Sequence, residues 1–214
     1  MMIPKLHYIA QGNSGKELLE NIQKACTSGI ELVQLGIADI SEKKFLKIAA
    51  EAREITAHYQ TRLLIENQFK IAKDIKADGV VLSNKAISPT EVQKQLYTWQ
   101  MIGAIANTVQ DCEALLTKEV DYIGLGPFKH PINEENLNAE LGLNGFTLIT
   151  ESLQTETPII AYGGITTEDV TGLLASGVSG IAVSDEITQN FDAIKVFNQL
   201  LKASSTAEQR YTFE

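Results

Sequence analysis

At 214 residues, 44% hydrophobic and 21% charged, the chain is long enough to bury one sizeable core and short for two. Its formal net charge of −9, from 18 basic and 27 acidic residues, argues against nucleic acid as a partner, because phosphate-backbone binding needs clustered Lys and Arg. No apolar run is long enough to cross a bilayer, and MMIPKLHYIAQ lacks a basic region ahead of an apolar stretch. The expectation is a cytoplasmic protein with no signal peptide, in which Cys26 and Cys112 are reduced, buried fillers.

In chain order, Leu6–Ile9 reads as a short strand, and apolar spacing through Leu18, Leu19, Ile22 and Ala25 predicts a helix over 15–28 that Gly29 stops. A strand follows at 31–35, and Ser41 caps a long helix through Phe45, Ile48, Ala49, Ala52 and Ile55. Residues 62–65 form a third strand, 69–75 a short helix and 80–82 a fourth strand. Ser88-Pro89 opens the next helix, with Ser at the cap and Pro at the first helical position. Strand five covers 100–104, a helix over 108–117 has Thr108 or Asn107 as cap, and strand six covers 122–125. Residues 126–142 carry no clear period. Helix six is expected at 146–153, strand seven at 158–161, helix seven at 166–175, strand eight at 180–183 and helix eight at 191–201. The expected organisation is one domain over residues 1–204 and a polar tail over 205–214.

Alternating apolar strands and helices mean a parallel sheet covered by helices. Eight such units predict closure into an α/β (β/α)8 TIM barrel. An open sheet would carry a GxGxxG after strand one, where this chain has Gln11-Gly12-Asn13. Chemistry then belongs at the C-terminal ends of the strands. The polar residues there are Gln34, Glu66, Asn67, Asn107 and Lys129-His130. Gln34 ends an apolar run, so its amide points inward and needs a partner, either a ligand or a neighbouring strand end. Glu66 is either an acid/base group or the partner of Arg62 or Lys70. His130 is either solvated or a proton carrier. His7 and His58 read as structural. After strands seven and eight, Gly163-Gly164 and Ser184 predict a backbone nest for a phosphate, the alternative being a plain strand-to-helix turn.

Four segments, ADGVVLS (77–83), VDYIGLGPF (120–128), PIIAYGGIT (158–166) and SGVSGIAVS (176–184), resemble the thiamine phosphate synthase family, including its thiazole tautomerase (TenI-type) branch. VQL (33–35) and IGAIANT (102–108) match more weakly and in the same order, so the resemblance spans roughly residues 5–200. It implies a (β/α)8 barrel. The synthase joins a hydroxymethylpyrimidine diphosphate to a thiazole phosphate with Mg²⁺. The resemblance also implies that Gly163, Gly164, Ile165, Val183 and Ser184 bind the thiazole phosphate, that the partner is a small phosphorylated heterocycle, and that a homodimer is possible.

The half of the pattern that handles the diphosphate does not carry over. The Gln-x-Arg-x-Lys pattern after strand two stands here as Gln34, Gly36 and Ala38. The Asn-Asp after strand three stands as Glu66-Asn67, the second magnesium Asp matches Ala86, and the Ser after strand five is Ile105. The Thr-x-x-Lys stretch is missing from the acidic segment 129–136. Stabilising a departing diphosphate needs cations aimed at it, and losing several groups worth roughly 10²–10³ each should cost many powers of ten. The expectation is no metal and no cofactor, Mg²⁺ being needed only by a true synthase. The expected activity is TenI-like proton transfer with His130 or Glu66 as base and Gln34, Asn67, Asn107 and Lys129 in the substrate pocket. The tautomerase's own histidine is not at its family position, which is Pro127 here. The alternatives are a non-catalytic binding or regulatory protein, a diverged synthase, or another phosphate-barrel isomerase.

Overall fold

Short polar side chains start three of the helices. Ser14 Oγ accepts from Glu17 N at 3.2 Å, Ser41 Oγ from Lys44 N at 3.4 Å and Thr108 Oγ1 from Asp111 N at 3.1 Å. They begin α1 (Gly15–Thr27), α2 (Glu42–His58) and α5 (Val109–Leu116). The computed structural model describes residues 2–130 and 139–201. The expected tail at 205–214 lies outside these residues, as do residues 131–138 of the aperiodic segment after strand six.

The strands are β1 (Leu6–Ile9), β2 (Leu32–Leu35), β3 (Arg62–Glu66), β4 (Gly79–Leu82), β5 (Met101–Ala106), β6 (Tyr122–Leu125), β7 (Ile159–Tyr162) and β8 (Gly180–Val183). All pair in parallel, in sequence order, and β8 closes onto β1 with Tyr8 opposite Val183. The remaining helices are α3 (Phe69–Asp74), α4 (Pro89–Gln93), α6 (Gly142–Leu153), α7 (Val170–Ala175), α8 (Asp185–Gln189) and α9 (Ala193–Leu200). The expected (β/α)8 barrel is therefore the fold. Among the described residues no helix is long and apolar enough to cross a membrane.

Two helix starts differ from the sequence expectation by about a turn, and one helix is additional. α6 begins a turn earlier, at Gly142. α7 begins a turn later, because Asp169 Oδ2 accepts from both Thr166 N and Thr166 Oγ1 at 3.0 Å and closes a separate turn first. α8 is an additional short helix directly after β8, too brief for a period to reveal.

Two apolar layers hold the barrel. The larger lies between sheet and helices. The smaller fills the inside with Leu32, Leu64, Met101, Tyr122, Ile160 and Ala182. Large and small residues interlock across this interior: a Cβ on Gly103 would fall 2.0 Å from the ring of Tyr122, which only glycine admits. Strand alternation then decides which residues reach the upper interior, with Ile9, Gln34, Glu66, Val81 and Ile105 facing in.

Candidate functional site

Above the packed interior is a cavity of about 140 Å³, lined by Gln34, Glu66, Ser83, Tyr122 and Tyr162 among apolar walls from Ile9, Val81, Ile105, Ile160 and Ala182. It lies at the C-terminal ends of the strands, where a barrel of this kind holds its ligands. Two of the sequence-predicted residues, Gln34 and Glu66, are brought together here.

Gln34 has a protein partner that the sequence did not reveal. Its Nε2 donates to His7 Nδ1 at 2.9 Å and lies 3.5 Å from Tyr122 Oη. His7 is fully buried, with its Nε2 on Pro4 O at 3.0 Å and its ring edge-on to Tyr122. Burial pushes the imidazole down to about 4, against which the Pro4 carbonyl works and with which Arg62 works. His7 is therefore neutral at pH 7. Strand alternation was the signal available: Leu6 and Tyr8 belong to the outer layer, so His7 points inward with Ile9.

Glu66 is held by its neighbours on β4. Ser83 Oγ donates to Glu66 Oε1 at 2.5 Å and itself accepts from Asn67 Nδ2 at 2.8 Å. Asn67, left-handed at φ 55°, takes Ser83 N and Asn84 N on its Oδ1 at 2.9 and 3.1 Å. Asn67 thus ties the β3 and β4 ends together and does not line the cavity. No cation pairs with Glu66 among the described residues; neither Arg62 nor Lys70 reaches it. The carboxylate leans over Gly36, where a Cβ would stand 2.0 Å from Oε2.

Across the mouth, Asn107 Nδ2 donates to Gly126 O at 2.7 Å and to Tyr162 Oη at 2.8 Å. Burial pushes the Tyr162 phenol up. Lys129 Nζ sits 2.7 Å from Asp169 Oδ1, so its charge is already paired. Burial pushes the Asp169 carboxyl up, but the bonds from Lys129 and Thr166 outweigh it and hold the group below its ordinary value. The His130 N–H donates to Glu140 Oε1 at 2.7 Å. Its Nδ1 is buried with no hydrogen-bond partner among the described residues, and the side chain does not line the cavity.

The two glycines after β7 have φ of 100° and 55°, which favour glycine. They also admit the loop after β6. A Cβ on Gly163 would meet Pro127 Cβ at 2.7 Å and Phe128 N at 2.9 Å, and one on Gly164 would meet Lys129 O at 2.9 Å. Phe128 N and Lys129 N donate to Tyr162 O and Gly163 O, at 2.8 and 3.1 Å. Packing alone therefore accounts for both glycines. The N–H groups of Gly163, Gly164, Ile165 and Ser184 have no acceptor among the described residues. Ser184 Oγ donates to Ile9 O at 2.9 Å, so its backbone N–H is what it offers an anion. Val183 is buried at the end of β8, beside β7, where Tyr162 stands opposite Ala182.

A second hollow of about 580 Å³ opens between the loops after β1 and β2, lined by Gln11, Asn13, Glu17, Gly36, Ala38 and Lys44. Gly36 and Ala38, where the synthase pattern has its Arg and Lys, form part of its wall. The cavity above the barrel core, though smaller, brings the buried Gln34 together with Glu66 and Ser83.

A family model described as thiamine monophosphate synthase matches residues 6–187. A thiamine-phosphate synthase of Flavobacterium psychrophilum is 34% identical over 204 residues, covering 94% of this chain and 99% of that protein. One from Flavobacterium johnsoniae is 34% identical over 203 residues, covering 94% and 95%, and one from Bacteroides fragilis is 29% identical over 199 residues, covering 92% and 98%. In structure, a thiamine phosphate pyrophosphorylase from Pyrococcus furiosus superposes with a TM-score of 0.80 at 23% identity, over 92% of this chain and 95% of that one, a likeness of fold. On the length of the match and the identity of these relatives, the chain belongs to the thiamine monophosphate synthase family.

Proposed function

We propose that this family member binds a thiazole phosphate at the barrel mouth and catalyses a proton transfer on the ring, as the TenI-type branch does, rather than the joining of a pyrimidine diphosphate to it. The observation that carries the reading is the Glu66 carboxylate over Gly36, a negative group in the space from which a cation would meet the diphosphate. The donors do not suit magnesium either. Asn67 Oδ1 already accepts two backbone N–H groups, and among the described residues no three His, Cys, Asp or Glu cluster as a metal site.

Glu66 is the better base of the two candidates. It lines the cavity, its position is fixed by Ser83, and among the described residues no cation pairs with it. The unpaired N–H groups of Gly163, Gly164, Ile165 and Ser184 supply donors for the phosphate. A diverged synthase is the second reading, favoured by full-length relatives of that name at 34% identity.

The test titrates purified protein with thiazole phosphate and follows ring tautomerisation by NMR. Binding is expected, with Glu66→Gln lowering turnover by at least about 100-fold while His130→Ala changes it little. Binding with no turnover in wild type would identify a non-catalytic protein, and no binding would remove the ligand assignment.

A further inference from the structure

The Tyr162 phenol, at the end of β7, is held by bonds that leave its own proton unused. The Asn107 side chain has two N–H protons on Nδ2, which lies 2.7 Å from Gly126 O and 2.8 Å from Tyr162 Oη. The Gly126 carbonyl only accepts, so the amide cannot be the other way round. Tyr162 Oη therefore accepts from Asn107, and its own O–H has no acceptor among the described residues. Burial pushes the phenol up, so it keeps this proton through neutral pH. The ring is fixed as well, lying against Gly126, where a Cβ would stand 3.0 Å from Cδ1 and Cε1. Asn107 is anchored in turn by its backbone N–H, which Asp111 Oδ2 accepts at 3.1 Å. Tyr162 lines the same cavity as Glu66, of whose two oxygens only Oε1 is engaged, by Ser83. A proton donor and a proton acceptor on different strands thus face one small space, which is what a proton shift between two positions of a ring needs.

We propose that Tyr162 is a second catalytic residue, the acid that protonates the substrate at one position while Glu66 removes a proton from another, and that Asn107 is the positioning residue that turns the phenol for this. The inference rests on the proton-transfer reading above. In the step, Glu66 takes a C–H proton and the electron pair of that bond passes into the ring. The pair ends on a second atom, which forms a new bond to the Tyr162 proton, so the product is an isomer of the substrate. Glu66 is left neutral and Tyr162 is left as a phenolate, stabilised by the Asn107 N–H. Solvent then takes the proton from Glu66 and returns one to Tyr162.

The test incubates thiazole phosphate with the full chain in D₂O. NMR follows two quantities, tautomer formation and deuterium entry at the position that Glu66 deprotonates. Tyr162→Phe removes one oxygen and keeps the ring. It is expected to bind thiazole phosphate within about threefold of wild type and to tautomerise it at least about 100-fold more slowly, the usual contribution of one such group. Deuterium entry should fall by less than about tenfold, because Glu66 still acts, so the ratio of exchange to tautomerisation should rise at least about tenfold. Asn107→Leu, which deprives the phenol of its donor, should shift the ratio the same way. Glu66→Gln should remove exchange and tautomerisation alike. A defect of folding or packing lowers both quantities together, so an unchanged ratio in Tyr162→Phe would overturn the proposal. Turnover in wild type that is undiminished in Tyr162→Phe would overturn this role alone and leave the proposed function standing. A wild type that fails to bind thiazole phosphate, or binds it without turnover, would overturn the proposed function and this role with it.

Discussion

The Glu66 carboxylate and the bare backbone of Gly36 occupy one space: a Cβ on residue 36 would stand 2.0 Å from Oε2 and 3.0 Å from Cβ and Cδ of Glu66. Gly36→Ala therefore forces the side chain to swing away from Ser83. The expected cost is about 1 kcal/mol, because the atom in the way is the far end of a flexible chain. In Glu66→Ala the same substitution should cost nearly nothing. Denaturant unfolding of both singles and the double reads the coupling, and strict additivity would show that the two residues do not share this space.

The buried His7 makes stability depend on pH. Its ordinary value is 6.5 and burial brings it to about 4, so between these the unfolded chain binds a proton that the folded chain does not. Stability is then full above 6.5 and falls as pH drops toward 4, by roughly 3 kcal/mol in total. Urea unfolding at several pH values should show that slope in wild type and a much shallower one in His7→Gln. Parallel curves for the two proteins would sink the assignment.

Gly163→Ala should destabilise the ligand-free protein by about 2–4 kcal/mol. The position has φ of 100°, and the new Cβ would run into backbone and ring atoms of Pro127 and Phe128. Loss of phosphate binding in that variant would then report packing as much as recognition. A thermal shift without ligand decides it, and an unchanged melting temperature would contradict the packing account.

Lys129 and Asp169 should be unequal partners. The lysine is half exposed, so Lys129→Met should cost no more than about 1 kcal/mol. Asp169→Ala also strips the acceptor from Thr166 N and Oγ1 and should cost about 1–3 kcal/mol. Equal losses in unfolding experiments would mean that the ion pair, rather than the turn before α7, holds this rim.

Much of this architecture was legible because it rests on local rules. Short apolar strands alternate with capped helices, and Ser41 and Thr108 are caps in fact as in sequence. The strand ends, and with them Gln34 and Glu66, followed from the barrel. What did not follow was pairing across distance. Gln34 was seen to need a partner, but His7 lies 27 residues away on the neighbouring strand, and only the closed register brings them together. Asn67 and Lys129 looked like ligand groups because polar rim residues do, yet their atoms are engaged by Ser83, Asn84 and Asp169. The glycines after β7 read as a phosphate nest, while their contact with the loop after β6 depends on tertiary placement that no local pattern encodes.

The account turns on a carboxylate standing where a diphosphate would need a cation. Its most direct test is Mg²⁺-dependent pyrophosphate release by the purified wild-type protein supplied with hydroxymethylpyrimidine diphosphate and thiazole phosphate. The account predicts release many powers of ten below an ordinary enzyme rate, with thiazole phosphate still bound. Release at roughly 1 s⁻¹ or faster would contradict it and establish a synthase that manages the leaving group with residues other than those its relatives' pattern provides.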